Sequence, residues 1–285
     1  MELFLIPVAV AGLPMGVELD LVARALTLHD HLTHRPYSGG MSMNHDVTGR
    51  LRTATSPKGT GLRRGLWVSF LGPYGLELAV TSGADWVGID LQHGDLEPSD
   101  VPGLLRVTEQ AGLPLLTRMP SHDPALISRA IDAGVNGVIV PAVESAHQAK
   151  ALVSAALLPP RGARSTGTAR STFMTTKEPV APLLLPMVET ATGLEHAAEI
   201  LSVDGVDGVF FGPYDLTISS GFPTPSSKET LSALEHVITL ARAAGKTIGF
   251  MAGQPELLAM ASRADLVAVD TDVAALRIGL ARLFD

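Results

Sequence analysis

From Gly65 to the C-terminus the sequence repeats one pattern: a short run rich in Val, Ile and Leu, a polar junction, a segment of helical apolar spacing, and a small residue before the next run. Eight such runs occur, at Leu66–Phe70, Trp86–Leu91, Pro114–Met119, Gly137–Val143, Leu183–Glu189, Gly208–Gly212, Thr247–Ala252 and Leu266–Asp270. The intervening segments carry helix-stop signals, as in "SRAIDAG" (128–134) and "TLARAAGK" (239–246), where Gly follows the last turn. Runs that are apolar throughout, instead of alternating, belong to strands buried on both faces. Eight of them alternating with helices predict an α/β fold, a (β/α)8 TIM barrel, closed by a last helix over Asp272–Phe284. An open, doubly wound sheet is the competing arrangement, but no Gly-x-Gly-x-x-Gly follows the first run.

A chain of 285 residues exceeds the usual single-core size of about 100–200 residues, yet a barrel of about 250 is one domain. With 46% hydrophobic and 18% charged residues, it can bury a large core. Its 21 Lys and Arg against 29 Asp and Glu give a charge of −8, which repels a phosphate backbone, so nucleic acid is not an expected partner. The absence of Cys excludes disulfides, thiolate nucleophiles and Cys-held zinc, and suits a cytoplasmic location. The apolar stretch Leu3–Val17 is broken by Pro7 and Pro14 and follows Glu2. It is shorter than the roughly 20 residues that span a bilayer, so neither a signal peptide nor a membrane anchor is expected. Residues 1–60 fall outside the repeat and hold His29, His31, His34 and His45 with the loose "SGGMSMNHDVTG" (38–49). They read as a poorly packed extension, with Met41 or Met43 as a natural start, ahead of a barrel over 61–285.

In a parallel barrel the site lies at the C-terminal ends of the strands. Polar residues there are Asp90 and His93, Arg118, Glu144, Glu189 and Asp215. Glu189 and Asp215 are separated by about one β/α unit, which places them on neighbouring strands. Either alone reads equally well as a helix cap; together, two hard oxygen ligands suit Mg²⁺, Mn²⁺ or Co²⁺, with water and substrate completing the shell. An internal echo bears on this: "FLGPYGLELA" (70–79) and "FFGPYDLTIS" (210–219) share a turn, but only the second carries an Asp. The turn itself therefore needs no carboxylate, and its Gly212, Pro213 and Tyr214 form an expected substrate-binding segment. Arg118 is a permanent cation suited to a developing enolate oxygen and to an ion pair with a mouth carboxylate, and both can hold together. His93 is the one imidazole at a strand end and a natural base, with Asp90 beside it. His122, His147, His196 and His236 fall in helices or first turns and read as surface residues. A divalent metal, a cation and a base, without a nucleophilic Cys or an evident Schiff-base Lys at a strand end, imply enolisation beside a chelated carbonyl. Carbon–carbon cleavage, isomerisation and decarboxylation all remain open on these grounds.

The stretches "ADWVGIDLQHG" (84–94), "TRMPSHDPALISRAIDAGVNGVIVPAVESAHQA" (117–149), "LPPRGARS" (158–165) and "MVETATGLEHAAEILSVDGVDGVFFGPYDLTISSG" (187–221) are similar, in order and spacing, to the HpcH/HpaI aldolase family. The resemblance runs from about Gly65 to the C-terminus and implies a phosphoenolpyruvate/pyruvate-type barrel that reversibly cleaves a 4-hydroxy-2-oxo acid to pyruvate and an aldehyde. It implies that Glu189 and Asp215 hold a divalent metal chelated by pyruvate, that Arg118 neutralises the enolate oxygen, and that His93 assists proton transfer through water. It also implies a homo-oligomer, a hexamer formed by exchanging the last helix, in which Asp132 of a neighbouring copy meets His93. Three departures stand out: Met187 where Gln is common, Gln92 where Glu is common, and a short stretch between Arg164 and Leu183. The alternatives are an acyl-CoA lyase of the citrate lyase β-subunit or malyl-CoA lyase type, with "PPRGARS" its basic candidate for CoA phosphates, and a non-catalytic barrel that binds a 2-oxo acid.

Overall fold

The computed structural model describes residues 63–167, 169–173 and 181–284; the expectations for residues 1–60 lie outside them. In chain order the elements are β1 (Arg63–Val68), α1 (Pro73–Ala79), β2 (Trp86–Asp90), α2 (Val101–Gln110), β3 (Leu115–Arg118) and α3 (Pro124–Ala133). There follow β4 (Gly137–Val140), α4 (Ala146–Ala156), α5 (Arg170–Phe173), β5 (Leu183–Val188), α6 (Ala191–Glu195) and α7 (Ala197–Ser202). The last are β6 (Gly208–Phe211), α8 (Pro213–Ser220), α9 (Lys228–Ala243), β7 (Thr247–Met251), α10 (Pro255–Ala259), β8 (Leu266–Thr271) and α11 (Asp272–Phe284).

Every strand pairs in parallel with the next, and β8 returns to β1, from Arg63↔Leu266 to Trp67↔Thr271, to close the barrel. That closure overturns the open-sheet alternative. The strands read as continuous apolar runs because they face two cores. Outward residues such as Val87, Ile89, Val138, Leu184, Val209 and Ile248 pack with helix residues such as Leu104, Ile127, Leu152, Ile200 and Leu234. Inward residues Trp67, Trp86, Leu116, Ile139, Leu185, Met187 and Phe210 fill the barrel. Three aromatics fit inside because glycines make room: a Cβ on Gly65 would lie 2.1 Å from Trp86, one on Gly88 2.7 Å from Trp67, and one on Gly249 2.7 Å from Phe210. Each such ring buries roughly 150–250 Å², worth about 4–6 kcal/mol at about 25 cal/mol/Å².

Seven of the eight strands stop earlier than their apolar runs, and β8 goes one residue further, to Thr271. The run after Gly137 continues to Val143, but β4 ends at Val140. Pro141 has no N–H for the ladder, and Ala142 takes a left-handed φ of 48°. Turn chemistry sets where the helices begin: Asp123 accepts the Ala125 N–H, Ser145 that of Gln148, and Ser227 that of Thr230.

Candidate active site

At the C-terminal rim, Asp90 and Arg118 are register partners on β2 and β3, so their side chains leave the ladder side by side. Arg118 grips the Asp90 carboxylate with two N–H groups, Nε to Oδ1 at 2.9 Å and Nη2 to Oδ2. The guanidinium lies 5.3 Å from the centre of the Trp67 ring, and the Trp67 indole N–H also donates to Asp90, at 3.2 Å. Backbone N–H groups of Gln92 and His93 complete its shell at 3.0 and 3.1 Å. Burial by itself would raise the Asp90 pKa, but the Arg118 hydrogen bonds and charge, with those two N–H groups, hold it below the ordinary carboxylate range.

This corrects the pairing expected of Asp90 and His93. Asp90 takes the backbone N–H of His93, not its ring, because Arg118 and Trp67 claim the carboxylate first. The imidazole is exposed at the mouth. Asp132 is also far from the mouth: it lies near the C-terminal end of α3, which leads into the start of β4, and it is ion-paired to Arg164 at 2.6 Å. Within one chain it does not meet His93.

Glu189 follows β5 directly and is 4% exposed. Its Oε1 accepts the Ala142 N–H at 2.7 Å, while its buried Oε2 has no hydrogen-bond partner among the described residues. The cap that Glu189 could have supplied comes from Thr190, whose hydroxyl accepts the Gly193 N–H and donates to Glu144 at 2.8 Å. Asp215 is likewise free of capping: Gly212 is the N-cap of α8, and Asp215 stands in the first turn. Burial is the largest influence on Glu189. With the Asp215 charge, and against the Ala142 N–H and the Arg118 charge, it pushes the pKa up to about 7. The two carboxyl groups are close enough to hydrogen-bond when one is protonated; when both are charged they can only repel.

Gly212 makes this approach possible, since a Cβ there would lie 2.7 Å from Glu189 Cβ and 2.8 Å from Oε2. Its N–H is spent on the Val188 carbonyl at 3.1 Å, and Pro213 has none. The first-turn N–H groups of Tyr214 and Asp215, with no side-chain cap among the described residues, are left for an anion. The Tyr214 hydroxyl donates to the Ala252 carbonyl at 3.3 Å, tying α8 to the end of β7. Met187 is buried in the barrel interior, and its methyl would lie 3.1 Å from a Cβ on Gly212. It therefore gives the site an apolar floor. Gln92 keeps a buried Oε1 without a partner among the described residues.

Three contributors were not evident from sequence. Trp67 supports Arg118. Asp272, at the head of α11, accepts the N–H groups of Ser69, Phe70 and Leu71, each at 3.0 Å, and so fixes the loop after β1. His122, read as a surface residue, is half-buried with Nε2 2.6 Å from the Pro141 carbonyl. His147 and His236 are exposed as expected.

The chemistry available at this rim is specific. Two carboxylates with one unsatisfied buried oxygen fit a divalent cation, which would supply that oxygen's missing partner and relieve the repulsion. Among the described residues no third His, Asp or Glu joins them in a metal-holding group, so water or substrate oxygens would fill the remaining positions. The charge of the fixed Arg118 guanidinium reaches Glu189, and the exposed His93 stands just past the end of β2.

Residues 63–274 match the family described as HpcH/HpaI aldolase/citrate lyase. The chain is 37% identical over 221 residues to a 2-keto-3-deoxy-L-rhamnonate aldolase of Klebsiella pneumoniae, spanning 73% of this chain and 82% of the relative. It is 36% identical over 197 residues to a hydroxypyruvate/pyruvate aldolase of Roseovarius nubinhibens, spanning 66% and 77%. A crystal structure of an HpcH/HpaI aldolase/citrate lyase family protein from Burkholderia cenocepacia superposes with a TM-score of 0.74 at 26% identity, covering 85% of this chain and 100% of that one.

Proposed function

The chain belongs to the HpcH/HpaI aldolase/citrate lyase family and is a carbon–carbon lyase of the aldolase kind; on that premise we propose that it cleaves a 4-hydroxy-2-oxo acid to pyruvate and an aldehyde, with Glu189 and Asp215 as ligands of a divalent cation. The observation that carries this reading is the buried, unpartnered Oε2 of Glu189 facing a second carboxylate. Mg²⁺, Mn²⁺ and Co²⁺ all suit an all-oxygen donor set. When bound, such a cation polarises a chelated carbonyl as a Lewis acid.

The protein's own groups supply the remainder. Asp90 and Trp67 hold the Arg118 guanidinium, and its Nη1 edge has no protein partner among the described residues. That edge donates to the C2 oxygen as negative charge builds there. In the cleavage direction the proton of the 4-hydroxyl passes through water to His93. The C3–C4 electron pair moves toward C2, its charge settles on the C2 oxygen, and the aldehyde departs. C3 then takes a proton back through the same relay, giving pyruvate. The start of α8 offers two N–H groups to the substrate carboxylate, beside Gly212, Pro213 and Tyr214. Asp90 serves this scheme by orienting Arg118, without touching substrate.

The acyl-CoA reading loses support from charge placement. Arg161 pairs with Asp204 at 3.8 Å and Arg164 with Asp132. Both follow the C-terminal end of α4, on the side of the barrel away from the mouth.

We also propose a homo-oligomer built on α11, which leaves Leu276, Ile278, Leu280, Leu283 and Phe284 44–87% exposed; a hexamer fits this scheme, and light scattering that finds a monomer rejects it. No helix among the described residues is long and apolar enough to cross a membrane.

The central test is retro-aldol turnover of 4-hydroxy-2-oxo acids, read as pyruvate release. Activity should vanish after chelation, return with Mg²⁺, Mn²⁺ or Co²⁺, and be absent from Glu189→Gln. Full turnover by the metal-free protein rejects the proposal.

A further inference from the structure

We infer that His122 is a positioning residue for Glu189 and acts on it through a single peptide plane. The Pro141 carbonyl and the Ala142 N–H belong to one planar unit, so fixing one end fixes the other. His122 Nε2 lies 2.6 Å from that carbonyl, and the Ala142 N–H points to Glu189 Oε1 at 2.7 Å. A carbonyl oxygen can only accept, so His122 carries its proton on Nε2. The chain of donation runs from imidazole to peptide to carboxylate, and each bond polarises the next.

The arrangement needs holding. Ala142 is the one described non-glycine residue with a positive φ, 48°, a strained conformation for an L-residue with a Cβ. Released from His122, the peptide would gain by rotating out of it and would carry the N–H away from Glu189. Among the described residues that N–H is the only hydrogen-bond donor Glu189 has. His122 itself is well placed to hold firm, because it stands between Ser121 and Asp123 at the start of α3. The Ser121 hydroxyl accepts the Asp123 N–H at 3.2 Å, and Asp123 caps the helix by accepting the Ala125 N–H at 2.8 Å. Thus the loop after β3 sets the loop after β4, which sets the acid after β5.

The inference deepens the reading of Glu189 as a metal ligand, and two measurements separate them. The first is Mn²⁺ affinity of the whole protein, from the electron paramagnetic resonance of free Mn²⁺. The second is hydrogen–deuterium exchange of the Ala142 amide, which needs no metal. His122→Ala should raise the apparent Mn²⁺ Kd by about 10–100-fold, the usual effect of losing a group that orients a metal ligand, and should speed Ala142 exchange. His122→Gln, which keeps an N–H donor at similar reach, should recover most of both and controls for folding. Wild-type Mn²⁺ affinity and wild-type Ala142 exchange in His122→Ala would overturn the inference. Faster Ala142 exchange in His122→Ala, with Mn²⁺ affinity unmoved in both it and Glu189→Gln, would uphold His122 as the holder of this peptide and remove Glu189 from the metal.

Discussion

Replacing Glu189 with Gln should remove part of the metal-free protein's response to pH. In the wild type, burial and Asp215 raise the Glu189 pKa from 4.5 to about 7. Between those values the unfolded chain has released this proton and the folded protein still holds it. Stability therefore falls as pH rises through that window. At about 1.4 kcal/mol per pH unit, the climb corresponds to about 3 kcal/mol, fully present below pH 4.5 and lost above about 7. Gln cannot ionise, so Glu189→Gln removes this pH-dependent part and should make the metal-free protein relatively more stable at pH 7.5 than at pH 5. A divalent cation acts in the opposite sense. It displaces the proton, so its apparent affinity should rise about tenfold per pH unit up to about pH 7 and then level off. The assay is urea unfolding of chelated wild type and Glu189→Gln at intervals from pH 4.5 to 8, with the difference between the two plotted against pH. Parallel curves across the whole range would refute the reasoning, because they would mean that Glu189 ionises in the folded state as it does in water.

Other consequences follow from the same geometry. Arg118→Lys keeps the charge but loses the two-pronged grip on Asp90 and the stacking on Trp67, so kcat should drop by about 10²–10³-fold, measured by steady-state pyruvate release. Gly212→Ala places a methyl against Glu189 Cβ and Oε2; the chain should fold, with circular dichroism unchanged, while isothermal titration shows Mn²⁺ binding weakened about 10-fold or more. Asp272→Ala strips the acceptor from three N–H groups of the loop after β1, and urea denaturation should record a loss of about 1–3 kcal/mol.

The barrel was legible because its determinants are local. Strands β2 to β6 are short runs buried on both faces, and the last helix, Asp272–Phe284, has the bounds its pattern predicts. The meeting of Glu189 and Asp215 was legible too, since one β/α unit of separation puts two residues at adjacent strand ends. What sequence hid depends on contacts between distant segments or on backbone geometry. An ion pair of Arg118 with a mouth carboxylate was expected, but not which one: Asp90 looked like a partner for a nearby imidazole, and strand register sets it beside Arg118, a stronger and better-shaped donor. Asp272 is 203 residues from the Ser69 N–H it accepts, and nothing in either segment announces the other. His122 looked like a surface residue, since only the turn at Pro141–Ala142 brings a carbonyl to it.

The central claim is that Glu189 and Asp215 share one divalent cation. Anomalous diffraction from crystals grown with Mn²⁺ and pyruvate tests it most directly. The account predicts one strong peak per chain at coordination distance from both Glu189 Oε2 and the Asp215 carboxylate, with pyruvate oxygens on its open side; a peak elsewhere, or one that touches neither carboxylate, would contradict it.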